Sequence, residues 1–524
     1  MFLPDPLNIV SDSGYTTHMF TSNDNKTGTE GFHPRQEPQY PEELSQKVLD
    51  KIFDSCDDFQ KRTVEIGGQP DITVSVCWLD GLTSGADISE DVLRPLTQAS
   101  RFLDTGTEET VMTRILEGAV YSYSVKRRDN CDDTVSDLLN GYCAIVFDAA
   151  HAAVTFEVKS DKMRSIEQSS LEKSVKGSKD AFIETLRVNT SLVRKKLRTA
   201  RLKSTETVIG RKSRTGVSVM YVEGVAEEER IGELLERLDA IDIDGLTAAG
   251  NLEQYTAQQP RSPFPQMLHT ERPDTFANWL LEGRIGILID GLPIAFVVPA
   301  TLPQLMKVSE DRAQHFLVAS MLVLLRYAAL LIALLLPALY VAVAMYHQEM
   351  IPTQMLVSVI DAKQQVPFAT ATEVLGMLVA FELLQEAGLR LPSPIGDTVS
   401  IIGALIVGQS AVEARIVSPI AVIIVAFSGI SSYTLPSQDL ASAVRVLRVL
   451  LVLSAMAAGI FGVMAAVTGL VWHLCTLESY GVAYLSPFVD GGQGGWLWSL
   501  LRQPLWKDKY RDPAVAGADL RKQK

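Results

Sequence analysis

Residues 316–346 read FLVASMLVLLRYAALLIALLLPALYVAVAMY, an apolar run with one charge, Arg326, and one proline, Pro337. A helix needs about 20 apolar residues to cross a bilayer, so the run is long enough to span, and Pro337 predicts a kink inside it. Most of the chain's 62 acidic and 48 basic residues precede Arg312. The chain therefore divides into a charged half and an apolar half. Its 47% hydrophobic and 21% charged residues are averages over two different materials.

Beyond residue 346, three further stretches read as spans: 398–412 (TVSIIGALIVGQSAV), 416–433 and 446–475. Residues 352–391 differ, because Asp361, Lys363, Glu373, Glu382, Glu386 and Arg390 interrupt their apolar stretches. That pattern suits an additional helix at the interface, or one facing protein or water, better than a lipid-exposed span. The last segment, 491–524, is a polar tail with Arg502, Lys507, Lys509, Arg511, Arg521, Lys522 and Lys524, which the positive-inside rule puts in the cytoplasm. The N-terminal residues MFLPDPLNIVSDSGYTT lack a basic region followed by an apolar one, so the N-terminal half is expected to be cytoplasmic too. The number of crossings is then even, and four fit. Arg445 and Arg448 strain that count, since they would open the last span on the outer side.

In the N-terminal half, residues 1–40 are rich in Ser, Thr, Asn, Asp, Gly and Pro and are expected to form a disordered tail. Helical spacing in ELSQKVLDKIFD, alternation in DITVSVCWLDG and the strand pair YCAIVFDAAHAAVTFEV predict an α/β subdomain over 41–165. A second one is expected over 175–310, from the helix DAFIETLRVNTSLVRKKLRTARL, the strand SVMYVEG, the helix AEEERIGELLERLDAI and the hairpin RIGILIDGLPIAFVV. The basic run Arg194, Lys195, Lys196, Arg198, Arg201 and Lys203 reads as a solvated helix face, because no aromatics interleave to stack bases. The predicted fold is thus an α/β N-terminal region of two small subdomains, followed by an all-α multi-span membrane domain over 316–490.

Chemistry is sparse. A net charge of −14 argues against nucleic-acid binding. No GxxxxGK[ST], no GxGxxG after a strand, no GxSxG and no HExxH occurs, and the seven histidines stand apart from other ligand residues. Neither an enzyme nor a cofactor or metal site is expected. The five cysteines lack CxxC spacing and read as reduced, mostly buried thiols.

Three groups of residues are more informative. Glu271, Arg272 and Asp274 precede a predicted helix, and Glu282 and Arg284 end it. Beside the plain reading as caps and turns, they are candidates to couple the soluble half to the first span by charge-assisted hydrogen bonds. Ser454, Ala458, Gly462 and Ala466 recur every fourth residue, a spacing that lets helix backbones approach closely. Ile402, Ile406 and Gln409 lie about a turn apart on a short, glycine-interrupted segment, as in a hydrophobic constriction above a polar vestibule; a tightly packed span is the plain alternative.

The stretches GSKDAFIETLRVNTSLVRKKLR, IDIDGL, SPFPQMLHTERPD, LLEGRIGILIDGLPIAFVVPA, RYAALLIALLLPALYVAV, HQEMIPT, FELLQEAGLRLPSPIG, SIIGALIVGQSAVEARIVSP and LESYGVAYLSPF run in order from about 175 to 490. In them the chain resembles the GerA family of spore germination proteins, specifically the A subunits of nutrient germinant receptors and the related SpoVAF proteins. It departs at His269, where the family usually has a tyrosine before TERPD. The resemblance implies a multi-pass protein of the inner membrane of a bacterial spore, working with a nutrient-sensing membrane B subunit and a lipoprotein C subunit. It also implies a homo-oligomer that releases monovalent cations. Two other readings compete: a non-conducting scaffold that relays nutrient binding, and a secondary transporter, for which no inverted repeat of spans is visible.

Overall fold

The computed structural model describes residues 40–523, except 69–71, 103–105, 121–123, 161–171, 173–175, 247, 391–407 and 490–499. The expected tail at 1–40 falls almost wholly outside the described residues, as do Ile402 and Ile406.

Strands β1 (Phe59–Glu65), β2 (Thr73–Leu79), β3 (Val125–Arg128), β4 (Tyr142–Phe147) and β5 (Ala152–Glu157) form one sheet in the order β1-β2-β4-β5-β3. Strands β6 (Leu202–Ile209), β7 (Thr215–Val222), β8 (Leu268–Thr270), β9 (Ile285–Ile289) and β10 (Ala295–Val298) form a second in the order β6-β7-β9-β10-β8. The two orders are the same, and every neighbouring pair is antiparallel. In each, one helix precedes the first strand and another enters the fourth: α1 (Gln46–Ile52) and α2 (Cys131–Leu139) in the first unit, α3 (Leu186–Lys196) and α5 (Pro273–Leu281) in the second. One α/β plan is used twice.

The second sheet is covered on both faces. Val217, Val219, Ile285, Ile287 and Ile289 pack with Ile231, Leu234 and Leu238 of α4 (Glu228–Asp239). Met220, Val222 and Leu288 alternate to the other face, where Phe276 and Leu280 of α5 join them. Gly286 is needed there: a β-carbon on it would lie 2.0 Å from the Phe276 ring. This second core continues without a break into the helical region, through Ala333, Val341, Leu451 and Ala455.

The basic run on α3 is not a uniformly solvated face. Arg194 is 1% exposed and forms a paired contact with Asp58, which is also 1% exposed. Its Nη2 donates to Asp58 Oδ1 at 2.6 Å and its Nη1 to the Leu202 carbonyl at 3.2 Å. Beside them the backbones of Ser55 and Asp57 bond Ser204 at 3.1 and 2.9 Å, so the first unit is stitched to β6 of the second. Cys56, Cys77, Cys131 and Cys143 are buried and Cys475 is exposed; burial pushes the Cys77 thiol up to about 12.

Among the described residues, the helices that follow include α6 (Phe316–Tyr346), α7 (Thr353–Gln364), α8 (Thr370–Arg390), α9 (Pro419–Tyr433) and α10 (Gln438–Thr476), and residues 408–413 are helical as well. The mixed segment expected as one helix at 352–391 is two, α7 and α8. Of all the described helices, α6 and α10 are long and apolar enough to cross a membrane. Arg326 does not stay among the apolar side chains of α6, because its guanidinium reaches back to Asp311 at 2.5 and 2.9 Å.

The last helix starts at Gln438, earlier than the span expected from 446, and it is broken. Ala458 (φ −144°, ψ 19°) and Gly459 (φ 60°, ψ −140°) leave helical geometry. Asp439 near its start lies 3.1 Å from His269, and His473 near its end lies 2.9 Å from Ser262. A straight helix would put those two ends about 51 Å apart at about 1.5 Å per residue. The chain from Ser262 to His269 reaches at most about 25 Å, and the side chains making the two contacts do not close the difference. The helix therefore folds back at Ala458–Gly459, so sharply that a β-carbon on Gly462 would sit 2.1 Å from the Ser454 carbonyl oxygen. The fold-back lies beside the end of α6, where the Tyr346 hydroxyl donates to the Met456 carbonyl at 2.6 Å. That carbonyl is one of those left without a helical partner by the break.

Candidate functional site

Among the described residues, two sets of charges stand where the sheets meet the helices and where the helices meet one another. The first brackets α5. At its start Arg272, 2% exposed, grips Asp274 through two hydrogen bonds of 3.0 and 2.7 Å. At its end Gly283 (φ +97°) turns the chain against the C-terminal segment; a β-carbon there would lie 2.7 Å from the Ala516 Cα. Arg284, 4% exposed, donates to the Pro299 carbonyl and lies 3.9 Å from Glu282. Glu282 also accepts from Arg312, in the short helix that leads into α6. Burial works to raise the Glu282 carboxyl, but Arg312 and Arg284 beside it hold it below the usual range.

Of the coupling candidates, Glu282 and Arg284 are thus brought together with Arg312, while Arg272 and Asp274 pair locally at the other end of the helix. The Glu271 carbonyl accepts from the Phe182 amide at 2.7 Å. Sequence reasoning missed the contribution of the C-terminal segment. Arg502 donates to the Arg312 carbonyl at 2.8 Å, Arg511 to the Leu281 carbonyl at 2.6 Å, and Arg230 to the Ala514 and Val515 carbonyls at 2.9 and 2.7 Å. The basic tail is a strap across the second α/β unit, its arginines capping carbonyl oxygens.

His269 was also missed as a site residue, although its departure from the family pattern singled it out. From β8 it faces Asp439 in the first turn of α10, and that hydrogen bond is the main cause holding the imidazole above its ordinary value. Glu172 and Glu253 face the same ring and act in the same direction.

The second set lies between helices. Glu382 of α8 meets Arg445 of α10 at 2.7 Å. Arg448, 2% exposed, donates to Ser428 of α9 at 3.2 Å, and Ser428 donates to the Ala333 carbonyl of α6 at 2.9 Å. Of the two arginines that strained the span count, Arg448 is therefore an interior polar contact of the bundle, and Arg445 is half-buried against Glu382. Glu373 of α8, 3% exposed, accepts from the Ser418 amide at 3.0 Å. Phe381 of α8 approaches Gly429 of α9 and stacks edge-on near Tyr433, so α8 and α9 run in the same direction.

Of the packing candidates, Ser454, Ala458 and Gly462 form the inner corner of the fold-back in α10, with Ala458 exposed. Gly459, not singled out by the spacing, makes the close approach to α6: a β-carbon on it would lie 3.0 Å from Tyr346. Gln409 is exposed and donates to Glu413 at 2.9 Å.

Residues 47–514 match the family model described as Bacillus/Clostridium GerA spore germination protein. The chain is 35% identical to spore germination protein KA of Bacillus subtilis over 93% of its own length and 90% of that protein's. It is 38% identical to the uncharacterized membrane protein YfkQ of the same organism, covering 86% of each, and 33% identical to its spore germination protein B1, covering 84% and 90%. Among solved structures, the N-terminal domain of the A subunit of the Bacillus megaterium spore germinant receptor GerK3 is 28% identical, with 49% of this chain and 93% of that one covered and a TM-score of 0.39. The chain belongs to the GerA family of spore germination proteins.

Proposed function

We propose that the chain is the A-type subunit of a nutrient germinant receptor and forms, as a homo-oligomer, a channel that releases monovalent cations. It would sit in the inner membrane of the spore with both α/β units and the C-terminal strap on the cytoplasmic side, beside a nutrient-sensing B subunit and a lipoprotein C subunit. The observation that carries the reading is the bundle itself. Its outer face is apolar, with Met321, Ile423 and Phe461 65%, 65% and 79% exposed, while Glu373 and Arg448 turn inward. In a bilayer such interior charges mark a functional path more often than a structural one. Residues 398–412, with Ile402, Ile406 and Gln409, remain the proposed pore segment.

The second reading is a non-conducting scaffold of the same complex. It is favoured by the charged contacts that tie the second α/β unit to both α6 and α10, which suit the relay of a signal. Reconstitution in liposomes separates the two. A channel passes K⁺ or Na⁺ when loaded vesicles are diluted into ion-free buffer, and Ile406→Ser raises the leak. Vesicles that stay tight with protein inserted in both forms exclude conduction and leave the scaffold.

A further inference from the structure

Glu373 is a buried carboxylate whose two oxygens are treated differently. One, Oε2, accepts the Ser418 backbone N–H at 3.0 Å. The other, Oε1, is buried and has no hydrogen-bond partner. Ser418 is the N-cap of α9, a 15-residue helix, so the carboxylate faces the positive end of a helix dipole. An ionised carboxylate at 3% exposure is costly unless a positive charge answers it.

Among the described residues, no cationic side chain pairs with Glu373. Lys363, at the end of α7, donates to the Thr370 hydroxyl, one turn before Glu373 on the same helix face. Arg445 is engaged with Glu382, and Arg448 with Ser428. Beside Glu373 stand the hydroxyl-bearing Ser418 (3% exposed) and Thr370 (1%), the latter one turn earlier on the same helix face. Tyr340 of α6 borders the same carboxylate and Ser418.

We infer that Glu373 Oε1 binds an inorganic monovalent cation, held between α8 and the N-terminus of α9. A single carboxylate among neutral hydroxyls offers one negative charge, which matches Na⁺ or K⁺. Divalent ions take sites with more carboxylates or with much retained water. The site pins α8 to the start of α9 and so gives the ion a structural effect on the bundle. It holds whether the chain conducts or only relays.

The test uses the full chain in detergent at fixed ionic strength, with NaCl or KCl exchanged against N-methyl-D-glucamine chloride. The unfolding midpoint of the wild type should rise by several degrees with Na⁺ or K⁺ and saturate, as binding to the native state requires. Glu373→Gln keeps an acceptor for the Ser418 amide and should lose that dependence. Equilibrium binding of Rb⁺ to the wild type, near one per chain, tests the site even if the variant fails to fold. A flat wild-type midpoint, an unchanged salt response in Glu373→Gln, or absence of Rb⁺ binding would each overturn the inference. So would a midpoint that follows pH and not the cation, because the carboxyl would then hold a proton. Flux without Glu373-dependent binding removes this site and leaves the channel; binding without flux does the reverse.

Discussion

Gly459 and Tyr346 approach so closely that a β-carbon on the glycine would lie 3.0 Å from the tyrosine's own β-carbon. The contact joins the fold-back of α10 to the end of α6. It sets where an apolar 39-residue helix becomes two legs. Each leg, at about 1.5 Å per residue, is close to the thickness of a bilayer core.

Gly459→Ala should be among the most damaging single-methyl changes in the helical region. The position combines φ 60° with ψ −140°, a region costly for residues with a side chain by about 1–3 kcal/mol, and the added methyl has no free space. Gly462→Leu should act similarly through the Ser454 carbonyl. Thermal unfolding and size-exclusion profiles of the solubilised proteins check both. A wild-type midpoint for Gly459→Ala would mean that the fold-back relaxes elsewhere.

The Asp58–Arg194 pair is expected to behave as a buried ion pair that joins the two α/β units. Removing one partner leaves a buried charge unanswered, so Asp58→Asn should cost about 3–5 kcal/mol, whereas Asp58→Leu combined with Arg194→Met should recover much of it. Denaturant unfolding of the wild type, Asp58→Leu, Arg194→Met and the double variant measures the coupling. A loss in the double variant equal to the sum of the two single losses would show the two residues to be independent of each other.

How legible this fold was depended on where each strand sits. The central strands β2, β4, β5, β7, β9 and β10 announce themselves by apolar content and by turns such as Asp290-Gly291. The edge strands β1 (FQKRTVE) and β3 (VKRR) keep one side in water and carry no comparable apolar signal, as edge strands that avoid aggregation do. The duplicated topology left no sequence signal, because a shared strand order constrains hydrophobic pattern and not residue identity. Arg194 read as one of a solvated series; only the fold brings Asp58 to it from 136 positions away. At the candidate site, Glu282 and Arg284 were legible because neighbours in sequence share a helix end. Arg312, Arg502 and Arg511 reach that end only through long-range packing.

The His269–Asp439 contact should be pH-dependent. Asp439 holds the His269 imidazole above its unfolded value, with Glu172 and Glu253 adding to the effect. A group whose folded pKa is raised stabilises fully below the unfolded value, near 6.5, and loses that contribution as pH rises through the folded value. The difference in unfolding midpoint between wild type and His269→Gln should therefore be largest at about pH 5.5 and shrink toward alkaline pH. Asp439→Asn should flatten the profile. A gap that grows with pH would reverse the assignment.

The last prediction concerns the link from α5 to α6. Glu282 is shared by Arg312 and Arg284, with Arg312 bonded directly, so it joins the end of a helix lying on the second sheet to the turn that enters the first apolar helix. Charge-assisted contacts of this kind are directional, and they are strong enough to transmit a small displacement when both partners are fixed by packing. Glu282→Arg should repel both arginines, and Arg312→Glu should place a second carboxylate against Glu282. Either change should slow nutrient-triggered germination of spores that depend on this chain, at unchanged protein level by immunoblot. The exchange variant carrying both substitutions restores opposite charges at the same two positions and should recover part of the response, limited by Arg284, which would still face a cation. Loss of the protein from the spore would assign the pair to folding. An exchange variant no better than the worse single one would show that pairing of these two charges is not what couples the sheets to the bundle.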